Sequence, residues 1–130
     1  MACIFPKQEW TIEIQLDDHP ESDSVIVFCL NVENGIINGE GSELPTGGEP
    51  VKLSPVTGRS LPLPELGSEL EATLMALIFT RGTSKVVLSG HTFRTGGPTG
   101  VNNFFGRFSA FTTGTTDGDG DTGTGTGTQT

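Results

Sequence analysis

Apolar side chains in this chain recur at every second residue, and breaks rich in Gly and Pro interrupt them before any run grows long. Trp10, Ile12, Ile14 and Leu16 alternate with Thr11, Glu13 and Gln15. Successive side chains of an extended strand point to opposite faces, so this alternation describes a strand with one buried and one wet face. Residues 24–32 are denser, with Ile26, Phe28, Leu30 and Val32 on one face and Val25, Val27 and Cys29 on the other. A strand apolar on both faces sits centrally or carries a ligand on one side. Asn34-Gly35 then signals a hairpin, because both residues tolerate the positive φ of a type I′ turn. Residues 36–41, 51–56, 85–94 and 103–112 read as further strands. Turn-forming clusters at 17–20, 44–50, 61–67 and 95–100 separate them.

Residues 68–80 admit two readings. Ser68-Glu-Leu-Glu71 resembles a helix capping box, and Leu70, Leu74, Leu77 and Ile78 have helical spacing. As a strand, the same stretch puts Leu70, Ala72, Leu74, Ala76 and Ile78 on one apolar face, against Glu69, Glu71, Thr73 and Met75. The strand is favoured, since a four-residue hairpin loop, Arg81-Gly-Thr-Ser84, then continues a meander at little entropic cost. An imperfect internal echo points the same way. Ile37-Asn-Gly39 precedes Thr46-Gly-Gly48 and Gly58-Arg59, while Leu88-Ser-Gly90 precedes Thr95-Gly-Gly97 and Gly106-Arg107.

From residue 113 to 130 only Thr, Gly, Asp and one Gln occur, and none of these can build a core. Such a segment does not offset an ordering entropy of roughly 1–2 kcal/mol per residue, so it is expected to be disordered. The expectation is therefore all-β: residues 1–112 form a single small antiparallel β-barrel or sandwich. It is meander-like, with about seven or eight strands drawn from residues 8–112. Residues 113–130 form a disordered tail.

The succession of strand, hairpin, Val32-Glu-Asn-Gly-Ile-Ile-Asn-Gly-Glu-Gly41, Pro-rich connection, Val86-Val-Leu-Ser-Gly90 and Phe104-Phe-Gly-Arg-Phe108 resembles the small bacterial domains of unknown function called DUF1842. The resemblance spans roughly residues 8–112 and implies a short β-barrel in which a Val-x-Gly-x-Gly strand is followed by a second Gly-centred one. It implies no catalytic residues.

Charge and spacing exclude more chemistry than they suggest. The chain carries a net charge of −9, and its seven Lys and Arg are scattered, which disfavours nucleic acid as a partner. No apolar run reaches the roughly 18 residues of a membrane helix, and the first residues lack the pattern of a secretory signal, so a cytoplasmic location is expected. Cys3 and Cys29 could pair. A free buried thiol is the commoner state for a cysteine in so hydrophobic a stretch as residues 25–30, and it is the expectation here. Asp117, Asp119 and Asp121 resemble half a calcium loop but lack its Gly and its bidentate Glu, so no metal site or cofactor is expected.

His19 and His91 have no His or Cys at ligand spacing. The aromatic residues Trp10, Phe28, Phe93, Phe105 and Phe108 are the candidate ligand-binding residues, lining a pocket if they do not fill the core. Phe104 and Phe111 share their strand. The reading is a non-catalytic binding or protein-interaction module, with self-association through an exposed strand edge as one route. The alternative is a barrel carrying a small apolar ligand. A third reading is a metal-dependent or hydrolytic enzyme using His91 with Glu40 or an Asp.

Overall fold

The computed structural model describes residues 8–18, 23–45, 48–62, 72–95, 100–112 and 121–129. Its elements are β1 (Gln8–Leu16), β2 (Asp23–Glu33), β3 (Ile36–Pro45), β4 (Val51–Pro62), β5 (Thr73–Arg81), β6 (Ser84–Thr95), β7 (Val101–Thr112) and β8 (Thr122–Gln129). Every strand pairs antiparallel with the next, and β8 returns to pair with β1. The expected all-β meander is thus a closed eight-stranded barrel rather than a sandwich. Closure gives every strand a neighbour on both sides, so no described strand is left whole as the exposed edge expected for self-association; residues 51–56 of β4 do not pair with β5.

Local chemistry sets the turns. Asn34 and Gly35 take φ of 54° and 77°, as the hairpin signal requires. Between β5 and β6, Arg81 pairs with Ser84, leaving a two-residue turn in which Gly82 has φ of 61°. That turn is tighter than the four-residue loop expected. Strand β4 is longer than the expected 51–56: it runs on to Pro62, past an irregularity opposite Gly39 and Gly41 in the β3–β4 register. Pro at a strand end costs no ladder hydrogen bond when its missing N–H would face away from the partner, which is why residues 61–62 stay in strand.

Alternation fills the interior. Ile12 and Ile14 of β1, Ile26, Phe28 and Leu30 of β2, Leu77 and Phe79 of β5, Leu88 of β6, and Phe104 and Phe108 of β7 form one buried cluster. The rings of Phe28 and Phe79 meet edge to face with centroids 5.6 Å apart. At one end the buried carboxylate of Glu43 accepts a 2.8 Å hydrogen bond from Arg81 Nε, which supplies the counter-charge a buried carboxylate needs.

Two expectations are reversed here. Strand β5 is the favoured strand, but its face is inverted: Met75, Leu77 and Phe79 point inward, and Leu74, Ala76 and Ile78 point out. Both faces of the segment are apolar, and the larger aromatic side chain wins the interior. The second reversal is at the C-terminus. Residues 122–129 were assigned to a disordered tail, yet they form β8, the strand that closes the barrel; residues 113–120 and 130 lie outside the described residues. The expectation weighed side chains only. A closing strand gains two ladders of backbone hydrogen bonds, and Thr has good strand propensity.

Glycine at the inward positions of β8 is what lets large neighbours in. A Cβ on Gly125 would lie 2.8 Å from Leu88 Cδ1 and 3.3 Å from Ile14 Cδ1. Further bonds fasten the strand start: Asp17 N–H donates to Thr122 O at 2.9 Å, and Ala110 N–H donates to Asp121 O at 2.8 Å.

Candidate binding surface

The predicted ligand-binding aromatics divide between inside and outside. Trp10, Phe28 and Phe108 are buried in the core, so they fill the barrel and line no pocket. Phe93 and Phe105 point outward. Phe105 is 57% exposed and pairs across the sheet with His91 on one side and Thr126 on the other. Both outward rings line a cleft of about 520 Å³ with Thr11, Glu13, Val25, Thr126 and Thr128.

Following the register around the barrel exposes a continuous row. Leu61 on β4 pairs with Leu74 on β5, Leu74 with His91 on β6, and His91 with Phe105 on β7. Three of these four are exposed apolar side chains, and Leu61 is 60% exposed. The neighbouring row is polar: Arg59, Ala76, Ser89 and Arg107 occupy the successive outward positions. An apolar stripe bordered by polar groups is the arrangement of an interaction surface.

A second cleft of about 440 Å³ crosses both rows on β4, β5 and β6, lined by Arg59, Leu61, Leu74, Ala76, Ser89 and His91 among others. Sequence reasoning singled out only His91 here. The signal for Leu74 and Ala76 is the apolar face of residues 70–78, whereas Arg59 and Leu61 lie beyond the expected end of the fourth strand.

His91 has no acidic partner on its paired neighbours. Glu40 lies on β3, three strands away from β6, and its carboxylate is 3.7 Å from Lys52 Nζ, so the His91–Glu40 pairing does not form. No group of three His, Cys, Asp or Glu residues able to hold a metal occurs among the described residues. Asp121 is described but Asp117 and Asp119 are not, so the calcium question lies outside the described residues, as does His19. Cys29 is disulfide-bonded rather than a free thiol. The chain's only other cysteine is Cys3, outside the described residues. Val27 and Cys29, on the outward side of β2, are nonetheless buried, so this strand is covered on both faces.

The strongest charge cluster fastens strands. Arg107 donates to Asp17 through Nη1 at 3.2 Å and Nη2 at 2.5 Å, and to Thr124 Oγ1 at 3.1 Å. Thr122 Oγ1 donates to Asp17 at 2.8 Å. The Arg107 hydrogen bond, with help from Thr122, holds the Asp17 carboxyl below its ordinary value, and the same bond raises Arg107. These bonds tie the end of β1 to β7 and β8, which makes the cluster a fastening and not a reactive centre.

No family model, curated protein or solved structure matches the chain.

Proposed function

We propose that the protein is a non-catalytic binding module that works through the outer face of its barrel. The observation that carries this reading is the filled interior: Trp10, Phe28, Phe79, Phe104 and Phe108 occupy the space an internal ligand would need. What remains for recognition is the exposed stripe through Leu61, Leu74, His91 and Phe105. A protein partner, a second copy of this chain or a small apolar ligand would each use this face. The carrier alternative therefore moves from the barrel mouth to its outer wall. The enzyme alternative using His91 loses its motivation, since Leu74 and Phe105 flank the imidazole. The DUF1842 resemblance lends the site no residue.

Exposed charges among the outward positions, including Glu13, Lys52, Arg59, Lys85 and Arg107, favour water rather than lipid around the barrel. The disulfide at Cys29 favours an oxidising compartment over the cytoplasm expected from the sequence. Nile red, a neutral dye, tests the reading together with light scattering. Binding of the dye or self-association, either one abolished by Leu74→Glu with the fold retained, is the expected result. A strict monomer that binds no dye contradicts it.

A further inference from the structure

We propose that the cleft across β4, β5 and β6 binds a small aliphatic carboxylate, with Arg59 at the head group, Ala76, Leu61 and Leu74 beneath the tail, and His91 at the far corner. This rests on the outer-face reading and names the ligand for one part of that face. Three observations converge on it. The cleft of about 440 Å³ falls within the range of small-molecule sites. Its outward array is amphipathic by register: Arg59–Ala76–Ser89 on one row and Leu61–Leu74–His91 on the next.

The third observation is charge. In a chain of net charge −9, this apolar cleft is bordered by a guanidinium and an imidazole, and among the described residues no carboxylate lines it. Among the described residues, neither Arg59 nor His91 makes an ion pair or side-chain hydrogen bond. A guanidinium presents parallel N–H donors that match the two oxygens of a carboxylate, and Ser89 adds a hydroxyl. The small side chains of Ala76 on β5 and Ser89 on β6 leave that row low, so the walls are Leu61, Leu74 and the two basic groups. From β4 to β6 is two strand spacings, roughly 10 Å, which suits a single chain of about ten carbons.

Calorimetric titration of the full chain with decanoate below its micelle concentration tests the proposal. Decanol and decyltrimethylammonium serve as head-group controls, and Nile red reports the apolar face without regard to charge. Decanoate should bind one-to-one, about tenfold or more tighter than either control, and Arg59→Ala should remove about tenfold of that affinity, as expected for a charge-assisted hydrogen bond. Binding that ignores the head group or survives Arg59→Ala overturns the carboxylate assignment. If Leu74→Glu still abolishes Nile red binding in that case, the outer-face reading stands without it. A strict monomer that binds neither decanoate nor dye overturns both.

Discussion

Strands β2 and β8 hold the same barrel by opposite means. Strand β2 sends Ile26, Phe28 and Leu30 into the core and has Val27 and Cys29 buried on its other side. From Gly123 to Gly127 strand β8 sends in no side chain, only Gly123, Gly125 and Gly127, and shows Thr to the outside; Gln129 joins the inward face only at its end, opposite Trp10. One is stabilised by apolar burial, worth about 1.5–3 kcal/mol for each large side chain. The other is held by backbone ladders to β1 and β7, and its contribution is space. Leu88 and Ile14 occupy volume that a side chain on Gly125 would claim. A barrel this small, with Phe28, Phe79, Phe104 and Phe108 inside, needs one lean strand to close around them.

Breaking the comparison at its largest point means removing the lean strand whole. Truncation after residue 120 should abolish the cooperative unfolding transition, because β1 and β7 lose their shared partner and Ile12, Ile14 and Phe104 meet water. Thermal unfolding by circular dichroism checks this, and a variant that melts like the full chain would mean that β8 is dispensable. Next comes the side-chain strand. Phe28→Ala should cost about 3–5 kcal/mol in chemical denaturation, the range for emptying a buried aromatic site. Gly125→Val tests the space argument from the other direction, and overpacking against Leu88 should cost about 1–3 kcal/mol. An outward change on the same strand, Thr126→Val, serves as its control and should leave denaturation within about 0.5 kcal/mol.

The smallest effect is electrostatic. Hydrogen bonding to Arg107 depresses the folded-state pKa of Asp17, so its stabilisation is complete above the unfolded carboxylate value of about 3.9 and fades as pH falls through the folded value. Because the pair is open to solvent, the contribution is small. Asp17→Asn should flatten the acid limb of the melting profile below about pH 4 and leave neutral pH nearly unchanged.

What the sequence made legible follows from what each rule measures. Alternation in residues 10–16, the density of residues 25–30 and the Asn34-Gly35 turn are all local signals, and each stands in the structure as read. The orientation of β5 was not legible. Leu74, Ala76 and Ile78 are as apolar as a core face, and only competition with Phe79 for the interior turns them outward. Since that outward face is part of the candidate surface, the same ambiguity hid Leu74, while Arg59 and Leu61 lie past residue 56, where the expected fourth strand ended, and His91 stands out by its chemistry. Strand β8 escaped because its stabilisation is non-local. A Thr-Gly repeat has no core-forming side chain to count, and its partners lie at the start of the chain and in β7. Cys29 was misread for a related reason, since hydrophobic surroundings describe a buried disulfide as well as a buried thiol.

The closing role of the Thr-Gly strand is the central claim, and amide hydrogen exchange followed by NMR measures it most directly. If β8 bridges β1 and β7, amides of residues 123–128 should exchange as slowly as those of β1, and Gly125 should show cross-strand contacts to both Ile14 and Gly106. Amides in β8 exchanging at the rate of an unfolded chain while β1 to β7 stay protected, with no contact from Gly125 to either strand, would contradict the account.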